Sequence, residues 1–380
     1  MFRPRHKTFA IAAANNLKGV IPDEIRYLSQ LQSLALQSNP GVTGSLPWGM
    51  NFLTSLGDIQ MQYCSLTGSI PDWIGNKHAL TRLGLSGNFL TGVIPTSFRE
   101  LVRLELLGLD GNSIAGNMEL FKDMVNLRNL YLQNNAITGE LSYAMMKSWV
   151  HIEELDISDC ELDSVLPSNL YDSTALRVLD LHGNKFTGTL PDVMANNSVL
   201  LFLALYDNQL EGTIPTTINN LINLAHLDLS SNKLIDPLPQ SMGDMAFLRY
   251  LFIGDNDFSN HRFPRFLSKL VHLRELSMSS SHLTGTIPEW IAGLKTLQLL
   301  DLEANNLSGT ITPEVGLLSN LNYLKLDRNQ LMGTIPDTFS LLLDLGECSA
   351  DNIDWEAFFG WVHDGSNQNC LLGNRCLAPE

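Results

Sequence analysis

One stretch, Leu321 to Pro336 with the letters LNYLKLDRNQLMGTIP, leaves few folds open. Leu321, Leu324, Leu326, Asn329, Leu331, Gly333, Ile335 and Pro336 stand at fixed offsets, LxxLxLxxNxLxGxIP, and the same offsets recur back towards the start of the chain. Aligned on the Asn, 14 units run from Asn15 to Asn329 at spacings of 23 to 25 residues, mostly 24. Cys64, Cys160 and Ser281 take the place of the Asn in three of them. Self-similarity at this period marks a solenoid, in which each unit buries its apolar face against its neighbours rather than around one closed core.

Each unit has a physical reading. In LxxLxLxx the alternation around Leu324 and Leu326 is that of a short strand with one buried face. Successive strands are expected to pair in parallel and form a concave wall. The Asn side chain then satisfies backbone groups in the turn that no strand satisfies, and stacking repeats this as a ladder. Cys64, Cys160 and Ser281 are small enough to fill that place and bond weakly, so the two cysteines are expected to be buried and reduced. The Gly permits a backbone conformation or close approach that a side chain would prevent. The Pro ends strand pairing and starts an irregular or short helical return.

NNLSGTI at Asn305 to Ile311 and NQLEGTIP at Asn208 to Pro215 resemble the plant-type leucine-rich repeat. That repeat occurs in plant receptor-like kinases, receptor-like proteins, polygalacturonase-inhibiting proteins and many algal secreted or membrane proteins. The resemblance covers about residues 8 to 340. It implies an α/β repeat solenoid, a curved superhelix with parallel strands on the concave face and irregular or short helical returns on the convex face. Its motif is specific for fold and weakly specific for function.

Departures from the pattern are local. Between Ser113 and Trp149 the Pro is lost (GNMELF, GELSYA), and Ser164, Asp236 and Asn260 stand where the Gly belongs. Extra residues sit near Asn39-Pro40-Gly41 and near Asn260-His261-Arg262. These units are expected to bulge away from the strands. Residues 1–345 are assigned to the solenoid and 346–380 to a C-terminal cap, in which Ile353, Phe358, Phe359 and Trp361 cover the end of the last unit. Cys348, Cys370 and Cys376 belong to that cap, and three cysteines in a short tail suggest one disulfide and an oxidising compartment. The start, MFRPRHKTFAIAAANN, has neither a long apolar run nor a cleavage pattern, so an N-terminal cap and signal peptide are expected to be missing from this chain.

Composition narrows the partner. Net charge is −16, and residues 151–260 hold 16 Asp/Glu against 4 Lys/Arg, hence −12 in that window. Nucleic acid and anionic membranes favour a basic face, so the expected partner is a peptide or protein that is basic or neutral. No run of 18 apolar residues suits a membrane span. Neither phosphate loops, zinc-protease motifs nor kinase signatures occur, and no cofactor or metal is expected. Asp180, His182, His226 and Asp228 approach one another on the predicted wall, but no Ser or Cys nucleophile stands beside them, so catalysis is not expected.

Function must then lie in the variable letters. Residues at −6, −4 and −2 from the ladder Asn face outward, because neighbours on a strand point oppositely. In these columns Val178, Phe202, Tyr206, His226, Tyr250 and Phe252 form an expected apolar-aromatic patch, bordered by Asp156, Asp180, Asp207, Asp228 and Asp255. Exposed aromatics with a polar rim have the makeup of an interface hot spot. Two sequons, at Asn196 and Asn306, would place glycans away from the wall in a secreted chain. The expectation is therefore a non-catalytic extracellular or cell-surface recognition module, receptor-like, binding a peptide or protein on its concave face. By the resemblance, the alternatives are a secreted inhibitor of a cell-wall hydrolase and a structural extracellular repeat protein.

Overall fold

The structure is a computed structural model and describes residues 9–193, 199–259, 262–343 and 345–349. It divides into two compact units, Met1–Thr187 and Gly188–Glu380. In each, the repeat builds a sheet of three-residue parallel strands stacked in chain order. The first unit runs from Phe9–Ile11 to Val178–Asp180, and the second from Phe202–Ala204 to Glu347–Ser349. Pairing is in register at the repeat spacing, as in Leu299↔Tyr323, Leu300↔Leu324 and Asp301↔Lys325. The middle residue of each strand points inward, and Leu276, Leu300 and Leu324 are fully buried. Glu347–Ser349 adds a strand beside Tyr323–Lys325, past the point where the sequence pattern fades.

The ladder Asn joins consecutive units. Asn305 is 5% exposed; its Nδ2 donates to the carbonyls of Met278 (2.8 Å) and Leu302 (3.0 Å). Its Oδ1 accepts from the amides of Leu283 (2.9 Å) and Ser281 (3.1 Å). Asn88, Asn184 and Asn256 repeat the arrangement with the corresponding groups. One short side chain thus closes a turn and ties it to the unit before. Cys64 and Cys160 are buried and free, as expected, and their thiols donate to the carbonyls of Leu36 (3.3 Å) and Leu132 (3.5 Å). Burial raises both thiol pKa values, that of Cys160 to about 11, so neither is a ready thiolate.

After the ladder the chain enters a second layer of short strands. In the first unit these form a six-stranded parallel sheet from Lys18–Val20 to Ala136–Thr138. In the second unit Glu211–Thr213 pairs with Lys233–Ile235, and a separate three-stranded sheet spans Thr284–Gly285, Asn306–Gly309 and Gln330–Leu331. The Gly of the motif takes the left-handed region within or just past these strands, at φ 80° for Gly309 and 95° for Gly333. Ser164 and Asp236, standing in its place, do not adopt that conformation. In the second unit the paired strand ends at Ile235, just before Asp236, and among the described residues only the single parallel bridges Ile235↔Asp257 and Arg262↔Thr284 continue the layer to Thr284.

The return is a five-residue 3₁₀ turn, entered through an extended Pro such as Pro215 (φ −65°) or Pro288 (φ −82°). Where the Pro is lost, a side-chain cap replaces it. Asn117 Oδ1 accepts from the Glu119 amide (3.0 Å) ahead of a three-residue turn. Ser142 Oγ accepts from the Met145 amide (3.3 Å) and opens Tyr143–Ser148, the one α-helix among the described residues. That helix absorbs the extra residue of a 25-residue repeat, from Asn135 to Cys160.

Candidate recognition site

The outward residues of the second unit's first strands come together as the alternation requires. Phe202, His226 and Tyr250 are register partners, and beside them run Ala204, Asp228 and Phe252. The His226 ring stacks on Phe202 with centroids 4.3 Å apart and planes 18° from parallel. Tyr250 and Phe252 tilt against its other sides at 5.6 and 5.5 Å. Strand pairing holds these rings at about 4.8 Å, close to the spacing at which aromatic pairs attract. Each of the four is half-buried, and Ala204 is fully covered, so the rings close over the sheet while leaving faces open.

Acidic groups border this row. Asp228 is fixed by its own turn, accepting from the Ser230 amide (3.0 Å) and hydroxyl (2.6 Å). Glu275 is the register partner of Tyr250, and Ser277 that of Phe252. Asp207 and Asp255 are exposed at the strand exits, in the left-handed region at φ 51° and 50°. Asp tolerates that region better than most residues, a backbone reason for its presence at both places. Tyr206 follows the Phe202–Ala204 strand and is half-buried.

Val178, Asp156 and Asp180 lie in the first unit. Val178 pairs with Glu154, and Asp156 with Asp180. Asp156 accepts from the Ser158 amide (3.1 Å) and hydroxyl (2.7 Å); burial, the largest influence, raises its carboxyl pKa against those bonds. His182, one of the four residues that approach one another on the predicted wall, is clamped between two carboxylates. Its Nδ1 lies 2.6 Å from Asp180 Oδ1 and its Nε2 3.3 Å from Asp159 Oδ2. Burial alone would lower the imidazole pKa, but the bond and charge of Asp180, with Asp159 and Asp156, outweigh it and raise the pKa.

Sequence reasoning missed a polar network on the same face of the first unit. Gln62 Nε2 donates to Gln60 Oε1 (2.5 Å), and Gln60 Nε2 to Asp58 Oδ1 (2.8 Å). The Gln62 amide lies where a Cβ on Gly84 would stand, 2.1 Å from it. Two strands on, the Tyr131 hydroxyl donates to Glu154 and accepts from Asn129 Nδ2 (3.1 Å). The available signal was Gly84 and Gly108 at one offset, flanked by Gln60 and Tyr131.

Of the modification sites, Asn306 is exposed on a second-layer strand, while Asn196 lies outside the described residues. Cys370 and Cys376 also lie outside them, and of Cys348 only the backbone strand is described. Among the described residues no group of three His, Cys, Asp or Glu is arranged to hold a metal. No described helix is long and apolar enough to cross a membrane.

With this geometry the chain can be set beside known proteins. The Leucine Rich Repeat family profile matches residues 79–101, 151–172, 175–197, 223–245, 272–294 and 320–342. Over 164 residues the chain is 27% identical to the receptor-like kinase TMK2 of Arabidopsis thaliana, covering 42% of this chain and 18% of that one. Among solved structures it is similar to a TDR receptor, with TM-score 0.78, 28% identity, and coverage of 91% of this chain and 64% of that one. It is also similar to the plant peptide hormone receptor RGFR1 in complex with RGF2, with TM-score 0.71, 26% identity, and coverage of 89% and 66%. The chain thus spans under a fifth of TMK2 and about two thirds of each receptor chain.

Proposed function

We propose that this chain, a leucine-rich-repeat protein with the plant-type repeat, is a non-catalytic recognition module that binds an extended peptide or protein segment on the open face of its main sheet. The observation that carries this reading is the half-buried row Phe202–His226–Tyr250, with Phe252 against it and carboxylates along its border. Rings held by a rigid sheet, with faces open and a polar rim, can desolvate against a partner without losing much side-chain freedom. The likeness to a receptor named for a peptide hormone supports a peptide as the ligand class. The same reading carries an extracellular or cell-surface location and a receptor-like role.

Substituting Phe202→Ser together with Tyr250→Ser tests it. The leucines beneath both residues remain, so the circular dichroism melt should stay close to that of the parent. Retention of peptides from a displayed random library should be lost, because two anchors worth about 2 kcal/mol each are removed. Unchanged retention with an unchanged melt would refute the site.

A further inference from the structure

We infer that the aromatic row of the second unit receives an arginine side chain of the bound segment. This rests on the peptide-binding reading above and adds the chemistry of its central contact. Three observations lead there. First, the available surface is made of ring faces, and a ring face carries the negative end of the aromatic quadrupole. Second, the formal charges at the outward and exit positions of these strands are all of one sign, the exposed Arg249 and Arg274 standing at the strand entries instead. At the outward and exit positions of the four neighbouring strands stand Asp228, Glu275, Asp207 and Asp255, with neither Lys nor Arg among those positions. Third, the row already holds one planar nitrogen heterocycle flat on a ring, His226 on Phe202 at 4.3 Å and 18°.

These features select a cation and then a shape. An anionic side chain would meet four carboxylates, and a purely apolar one would desolvate them without pairing. Between the two basic side chains, the ammonium of lysine is a compact, strongly hydrated point charge. The guanidinium of arginine is planar, weakly hydrated and able to stack on a ring while donating in its own plane. Asp228 is fixed beside the row, since Ser230 binds Oδ1 through both its amide (3.0 Å) and hydroxyl (2.6 Å), and its negative charge lies where an in-plane donor would arrive.

The test presents the full chain with a positional-scanning library of octapeptides in which one position is fixed as arginine, lysine, citrulline or leucine. Citrulline keeps the planar shape of arginine and removes its charge. Arginine pools should be retained about tenfold better than citrulline pools. Asp228→Asn with Glu275→Gln should collapse that preference while retaining some peptide, since Asn keeps the Oδ1 acceptor that Ser230 uses. The melt is followed for each variant, and Glu275→Gln alone serves if the pair fails to fold. Equal retention of citrulline, lysine or leucine pools overturns the inference and leaves peptide binding standing. Retention of no pool at all overturns both.

Discussion

The residue just before each ladder position is a turn of the left-handed kind, and its occupants decide a small part of stability. Asn134, Asp159, Asp207 and Asp255 adopt φ between 47° and 57°, and Asn and Asp visit this region more readily than most residues. Ala304 sits there too, at φ 54°, with no polar side chain to bond locally. The left-handed conformation costs an ordinary L-residue about 1–2 kcal/mol. Ala304→Asn should therefore raise stability by about 0.5–1 kcal/mol, measured as an upward shift of the urea midpoint at unchanged slope. His182 supports a prediction of a different kind. Its pKa is raised in the fold, so the folded state binds the proton more tightly than the unfolded one. The stability it contributes is full below about pH 6.5 and is lost as pH rises through the folded value. Urea midpoints of the parent should fall relative to those of His182→Asn between neutral and mildly alkaline pH, and parallel profiles would contradict the clamp.

At the scale of the element, the ladder and the length of the return are linked. Three spacings are 25 residues, and the units they lead to carry Cys64, Cys160 and Ser281 in the ladder place. At Asn39-Pro40-Gly41 the longer turn closes on itself, the Val42 amide donating to the Asn39 carbonyl (2.9 Å), so a ladder oxygen is no longer required there. An Asn in a regular unit has no such substitute. Asn305→Ala would leave the Met278 and Leu302 carbonyls and the Ser281 and Leu283 amides without their partner. Each orphaned buried group costs about 1–3 kcal/mol, so the loss should be at least about 3 kcal/mol, whereas Cys64→Ala should cost about 1 kcal/mol or less. Thermal melts of the two variants against the parent check the contrast. The same comparison shows what could be read from letters alone. Leucine and Asn offsets name the strand and the turn, because burial and backbone satisfaction admit few alternatives there. The α-helix at Tyr143–Ser148 was not legible, since its cap Ser142 lies in a segment where the Pro signal had vanished. The outward aromatics were legible as a column from strand alternation, but the stacking of His226 on Phe202 is a matter of rotamers, which spacing does not set. Ten of the 14 left-handed positions before the ladder residues carry Gly, Asn, Asp or Ser, but Ala14, Tyr63, Ala304 and Arg328 interrupt the recurrence, so the column is only partly legible in the letters.

For the molecule as a whole, charge is what the repeat does not dictate. Leucines and ladder residues are neutral, so the net charge of −16 falls on variable positions and on returns, with −12 inside residues 151–260. A field of one sign over such a stretch acts mainly on the rate of encounter and on the choice of partner, because exposed charges are screened beyond about 8–10 Å at ordinary salt. The half-buried rings act differently, through contacts that form only after docking and that salt scarcely touches. The two contributions separate in kinetics. For an arginine-bearing peptide retained by the parent, raising sodium chloride should slow association several-fold and change dissociation much less. Phe202→Ser should do the reverse, speeding dissociation with little effect on association. If salt acted on dissociation alone, the acidic border would be a docking contact rather than a steering field, and the charge imbalance of this window would need another explanation.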